Sequence, residues 1–66
     1  MWKIYDKETN SYCWDKLLDY ELCEFVRYIA HNELDRASFY EFENDSGEIC
    51  DCWDINRKFN LNIKNF

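Results

Sequence analysis

Four cysteines, Cys13, Cys23, Cys50 and Cys52, and one histidine, His31, are the chain's soft-metal donors. Thiolate and imidazole are the ligands zinc prefers, but structural zinc sites usually open with ligands roughly two to four residues apart on a turn. Cys50 and Cys52 instead stand one residue apart inside an apolar run, on one face of the strand expected there, which favours packed thiols over a metal site. A Cys-x-x-Cys redox pair is missing, and neither a metal nor a cofactor is expected. Glu41, Glu43, Asp51 and Asp54 offer carboxylates for acid–base chemistry, yet a chain of 66 residues struggles to enclose a pocket around them, so they read as solvated strand charges. His31 falls on the polar side of a helix near its C-terminal end, where the dipole favours its proton and a surface role. With no nucleophile elbow, phosphate-cradling loop or kinase signature, no catalytic residue is expected and the chain does not read as an enzyme.

The elements that would carry these residues follow from hydrophobic period. Trp2-Lys3-Ile4-Tyr5 and Ser11-Tyr12-Cys13-Trp14 are β-prone runs around the polar turn 6–10. From Asp15, read as an N-cap, Leu18, Leu22, Phe25, Val26 and Ile29 recur at helical spacing, with Asn32 as the stop. Segments 37–43 and 48–55 flank Asn44-Asp45-Ser46-Gly47 as a second hairpin, with the only glycine where a positive φ is needed. Phe59, Leu61 and Ile63 alternate with Asn60, Asn62 and Lys64 as a last strand. The predicted order is β-β-α-β-β-β. That is an α+β fold in one domain spanning 1–66: a single antiparallel sheet of four to five strands with one amphipathic helix across one face. Cys13-Trp14-Asp15 and Cys52-Trp53-Asp54 hint at a duplicated hairpin, against the simpler reading of two independent aromatic strands.

Charge narrows the partners. Fourteen acids face eight Lys and Arg, a net charge of −6. Residues 56–66 hold Arg57, Lys58 and Lys64 and no acid, so residues 1–55 set 14 acids against five bases, a net of −9. Such a body repels phosphate backbones, so direct nucleic-acid binding is not expected. No apolar stretch nears the ~20 residues of a membrane span, and no basic-then-apolar leader is evident, so the expected location is the cytoplasm, with reduced cysteines.

Two surfaces are candidates for partner binding. On the helix, Asp19, Tyr20, Glu24, Arg27 and Tyr28 combine charge with rigid aromatic area. The bland alternative lays Tyr28 along the core edge and pairs Glu24 with Arg27. Glu41, Glu43, Asp51 and Asp54 on the sheet are the second choice. Apolar groups on both sides of strands 37–43 and 48–55 exceed what one helix covers, which predicts a homodimer.

In size, acidity, aromatic surplus and absence of catalytic motifs, the chain resembles the small phage-encoded anti-defence proteins, the anti-CRISPR and anti-restriction inhibitors. The resemblance is one of type, carried by composition over the whole chain rather than by a motif. It implies an inhibitor in the host cytoplasm that blocks a defence nuclease or helicase, with partial nucleic-acid mimicry. The basic tail departs from a uniformly acidic mimic. The alternative is a structural or assembly adaptor of a phage or mobile element, its acidity serving solubility.

Overall fold

A computed structural model describes all 66 residues. It has an α+β fold built on a single antiparallel sheet. Strands β1 (Trp2–Asp6) and β2 (Ser11–Leu17) lead into helix α1 (Asp19–Asn32). A 3-10 helix over Leu34–Phe39 then leads to β3 (Tyr40–Asn44), β4 (Ile49–Cys50) and a second helix, α2 (Cys52–Lys58). The sheet order is β2-β1-β3-β4, so α1 carries the chain from edge strand β2 past β1 to central strand β3.

Alternation puts Trp2, Ile4 and Asp6 of β1 on the helix side, opposite Asn44, Phe42 and Tyr40 of β3. Leu22, Val26 and Ile29 of α1 recur at helical spacing and close over these strands, while Ile55 and Cys52 of α2 complete the core. Trp2 belongs to that core, with its indole N–H donating to Asp19 Oδ1 at 2.8 Å. Both turns use the same device. Asp6 Oδ1 accepts the Glu8 N–H and Asn44 Oδ1 accepts the Ser46 N–H, each two residues on, and Gly47 takes φ +85°.

Four expectations are corrected. Helix α1 starts at Asp19 rather than from an Asp15 cap, because β2 runs on through Asp15 and Lys16. Leu18 occupies the cap position, where a leucine side chain has nothing to offer the backbone, and only the reverse half of a capping box forms, Leu18 N–H donating to Glu21 Oε1 at 2.8 Å. The expected strand 48–55 shortens to Ile49–Cys50 and becomes α2, because Asp51 and Asp54 cap each other's backbone N–H in a reciprocal box. The expected strand at 59–63 is irregular chain. Asn60 and Asn62 both adopt left-handed φ, 53° and 62°, which breaks extension at every second residue. Asn56 clasps Ile63 through both N–H and C=O, and Leu61, Ile63 and Phe66 pack half-buried on the core. The segment 37–39 is likewise 3-10 helix, with β3 starting at Tyr40. The sequence order is therefore β-β-α-β-β-α, four strands and two α-helices, and the two Cys-Trp-Asp triplets lie in different settings, one in β2 and one opening α2.

The cap carries a pH prediction. The Asp51 N–H, its side chain and the Arg57 guanidinium together hold the Asp54 carboxyl below the usual carboxylate range. A lowered folded value means that this stabilisation is fully present above the ordinary carboxylate pKa and is lost as pH falls through the lowered one. Removing the cap by Asp51→Ala is expected to cost about 1 kcal/mol. Urea titrations at neutral and acid pH, followed by tryptophan emission, check both, and Asp54→Asn should flatten the acid-side dependence.

Candidate functional site

Strand β2 forms an edge of the sheet and carries two register irregularities against β1. Three residues from Trp14 to Leu17 match two from Trp2 to Ile4, and two from Tyr12 to Trp14 match one from Ile4 to Tyr5. Lys16, at φ +59°, sits in the first of these. Such bulges increase local twist, and β2 stays exposed along nearly its whole length. Between β2 and α1 lies an open groove of about 410 Å³, floored by Ile4 and lined by Trp14, Leu17, Phe25 and Tyr28, with Glu21 and Glu24 on the helix side. Trp14 stays 58% exposed and Tyr28 51% exposed, although both are large amphipathic rings.

Charges around this corner are not neutralised. The chain's six ion pairs engage Asp6, Glu8, Glu33, Asp45, Glu48 and Asp54. Asp15, Asp19, Glu21 and Glu24, on β2 and the first half of α1, have no cation within 4.0 Å. The Glu24–Arg27 pair allowed by sequence spacing is not made. Asp19 is engaged otherwise, by the Trp2 indole, and so has a structural duty besides its exposure.

The helix candidates are thus brought together: Tyr20, Glu24, Arg27 and Tyr28 are all exposed on α1, Tyr20 at 61%. The four sheet candidates are not. Glu41 and Glu43 point from β3 to the face away from the helices, where Tyr12 Oη donates to Glu43 at 3.3 Å and Lys3 lies over the Tyr12 ring. Asp51 and Asp54 leave the sheet altogether for the α2 cap, a correction that removes them from any common carboxylate surface. Trp14, Leu17 and Phe25 are groove residues that sequence reasoning missed. A tryptophan in a short, poorly alternating edge strand was the available signal.

Polar groups elsewhere have structural occupations. Arg36 binds Asp6, Glu8 and Glu33 and lies over the Phe39 and Tyr40 rings. Asp6, 8% exposed, is the one buried charged side chain. Burial pushes the Cys52 thiol up to about 12, with the Asp51 carboxylate adding to the shift. No three His, Cys, Asp or Glu side chains gather into a donor set, and Cys23, Cys50 and Cys52 are buried thiols while Cys13 is exposed. A thiol reagent at mildly alkaline pH is therefore expected to label Cys13 first. Its rate should fall below that of a free cysteine, because partial desolvation and then Asp6 raise its pKa, and Cys52 should react only after unfolding. Mass spectrometry of timed labelling checks the order.

No helix is long and apolar enough to cross a membrane. No protein-family model, curated protein or solved structure matches the chain.

Proposed function

We propose that the chain is a small acidic, non-catalytic binding protein that acts by protein–protein contact, an inhibitor of a host defence nuclease or helicase carried by a phage or mobile element. The observation that carries this reading is the corner where β2 meets α1. Exposed Trp14 and Tyr28 stand there beside the carboxylates of Glu21 and Glu24, neither of them in an ion pair, and exposed Tyr20 lies next along α1. Unneutralised acids steer encounter with a basic cleft, and rigid aromatic rings supply contact area at low entropic cost. Nucleic-acid-handling enzymes carry such basic clefts, and the acids here stand in for part of a phosphate backbone. The remaining polar groups, in the Arg36 network and the α2 cap, are occupied in holding the fold.

The reading includes a homodimer. The open sheet face offers the self-complementary surface, with Tyr5, Tyr12 and Ile49 among Lys3, Glu41 and Glu43. Light scattering at micromolar concentration tests it, and a monomer mass counts against it. The adaptor reading keeps one specific support, the same face, which has both signs of charge and no need of an enzyme as partner.

Tagged protein should capture one nucleic-acid-handling enzyme stoichiometrically from bacterial lysate, undiminished by nuclease, and inhibit it once purified. Glu24→Lys, at an exposed position, is expected to weaken that association at least tenfold and leave the thermal midpoint unchanged. Unaltered association would move the weight to the adaptor.

A further inference from the structure

The groove has a chemistry of its own that says what fits it. Its floor and walls, Ile4, Trp14, Leu17, Phe25 and Tyr28, are apolar or aromatic, and its helix side carries two carboxylates, Glu21 and Glu24, neither with a cation within 4.0 Å. We propose that this groove receives a cationic amphipathic helix of the partner, its apolar face against Trp14, Phe25 and Tyr28 and its Lys or Arg side chains against Glu21 and Glu24. The inference rests on the binding reading above and adds the kind of element that docks.

Charge selects the occupant. A second copy of this chain would bring its own net charge of −6 against the unpaired Glu21 and Glu24. The chain's own basic residues Arg57 and Lys58 are engaged with Asp54 and Glu48. The C-terminal residues are taken up elsewhere as well, Asn65 donating to the Ala30 carbonyl and Phe66 packing on Trp53.

Backbone geometry selects a helix over a strand. An added strand needs a regular row of N–H and C=O groups, and β2 interrupts that row with two bulges and the left-handed Lys16. The groove instead runs between β2 and α1, where anchors one helical turn apart meet side chains from both walls. Glu21 and Glu24 are themselves one turn apart on α1, a spacing that basic residues on a docked helix repeat.

The test uses a synthetic peptide of roughly four helical turns, with Leu and Phe on one face and Lys and Arg on the other. It is titrated into the intact protein and followed by amide and indole NMR shifts. Saturable binding is expected, with the largest shifts at the Trp14 indole and at Phe25 and Tyr28. A shuffled peptide of the same composition should bind at least tenfold more weakly, as should a peptide with Glu in place of Lys and Arg. Glu24→Lys and Trp14→Ala, both at exposed positions, should each weaken the amphipathic peptide at least tenfold without altering the thermal midpoint.

Equal binding of the shuffled peptide, shifts centred away from Trp14, or no binding would each overturn the proposal. If peptide binding fails while Glu24-dependent capture of an enzyme succeeds, the inhibitor reading stands and this docking element is wrong. If the peptide binds as described and no nucleic-acid-handling enzyme is captured, the groove stands and the inhibitor reading falls.

Discussion

Phe42→Ala is expected to leave the chain largely unfolded at physiological temperature. Phe42 is the largest fully buried side chain, in central strand β3, opposite Ile4 of β1 and Cys50 of β4. The Phe25 ring meets it edge-on at 6.2 Å. Removing a buried phenylalanine ring typically costs about 3–5 kcal/mol, transfer and cavity together. At roughly 0.05–0.15 kcal/mol per residue, a chain of this size has only about 3–10 kcal/mol in all. Loss of the near-ultraviolet dichroism of the packed aromatics, with much far-ultraviolet signal gone, is the expected outcome. A cooperative melt within a few degrees of the parent would show that α1 and α2 can collapse onto the vacated space. Phe42→Leu, which keeps most of the volume, should retain the fold.

The second large effect is electrostatic. Asp6 is buried with both oxygens in use, Oδ1 taking the Glu8 N–H at 2.9 Å and Oδ2 the Arg36 guanidinium at 3.1 Å. Asp6→Asn keeps the shape, but one of these positions then holds a neutral amide, and if the turn keeps its oxygen, an N–H faces the guanidinium. Breaking a hydrogen bond to a buried charged group costs about 2 kcal/mol, to be read from urea unfolding at constant m-value. Because Arg36 also binds Glu8 and Glu33, pairing Asp6→Asn with Arg36→Met should cost less than the sum of the two changes, the mark of one coupled network. A loss under about 0.5 kcal/mol for Asp6→Asn, the level of an ordinary surface change, would mean that water takes over the contacts.

What could be read from the sequence was what local pattern controls. The first hairpin, the α1 core stripe Leu22, Val26 and Ile29, its stop at Asn32 and the turn at Asn44–Gly47 all follow from period and turn chemistry. The second half resisted for identifiable reasons. Cys50 and Cys52 fit one face of a strand while Cys52 and Ile55 fit one face of a helix, and the tie is broken by Asp51 and Asp54, whose reciprocal cap outweighs the β-prone Trp53. Phe59, Leu61 and Ile63 do alternate in burial, but the asparagines between them absorb left-handed turns, so the apolar side chains reach the core without a strand. Of the site, Glu24 and Tyr28 were legible because helical spacing puts them on one exposed face of α1 with Tyr20 and Arg27. Its other wall was not, since it depends on bulges in β2 that come from pairing with β1, and no run of residues announces them. Nor did Arg36 stand out, because its three carboxylate partners lie up to 30 positions away in sequence.

The order β2-β1-β3-β4 has a further consequence for how the molecule holds together when cut. Every groove residue, from Ile4 to Tyr28, belongs to the first ββα half of the chain, yet the strands that meet at the centre, β1 and β3, come one from each half. Phe25 leans on Tyr40 and Phe42, and Ile4 faces Phe42, so the second half supplies the back of a surface to which it contributes no residue. Each half alone, at about 30 residues, is below the size at which a core usually sustains itself. Two fragments split in the 3-10 helix would be separately unstructured and would regain the groove only on mixing, which makes the chain a candidate for conditional assembly, its surface present only where both pieces meet.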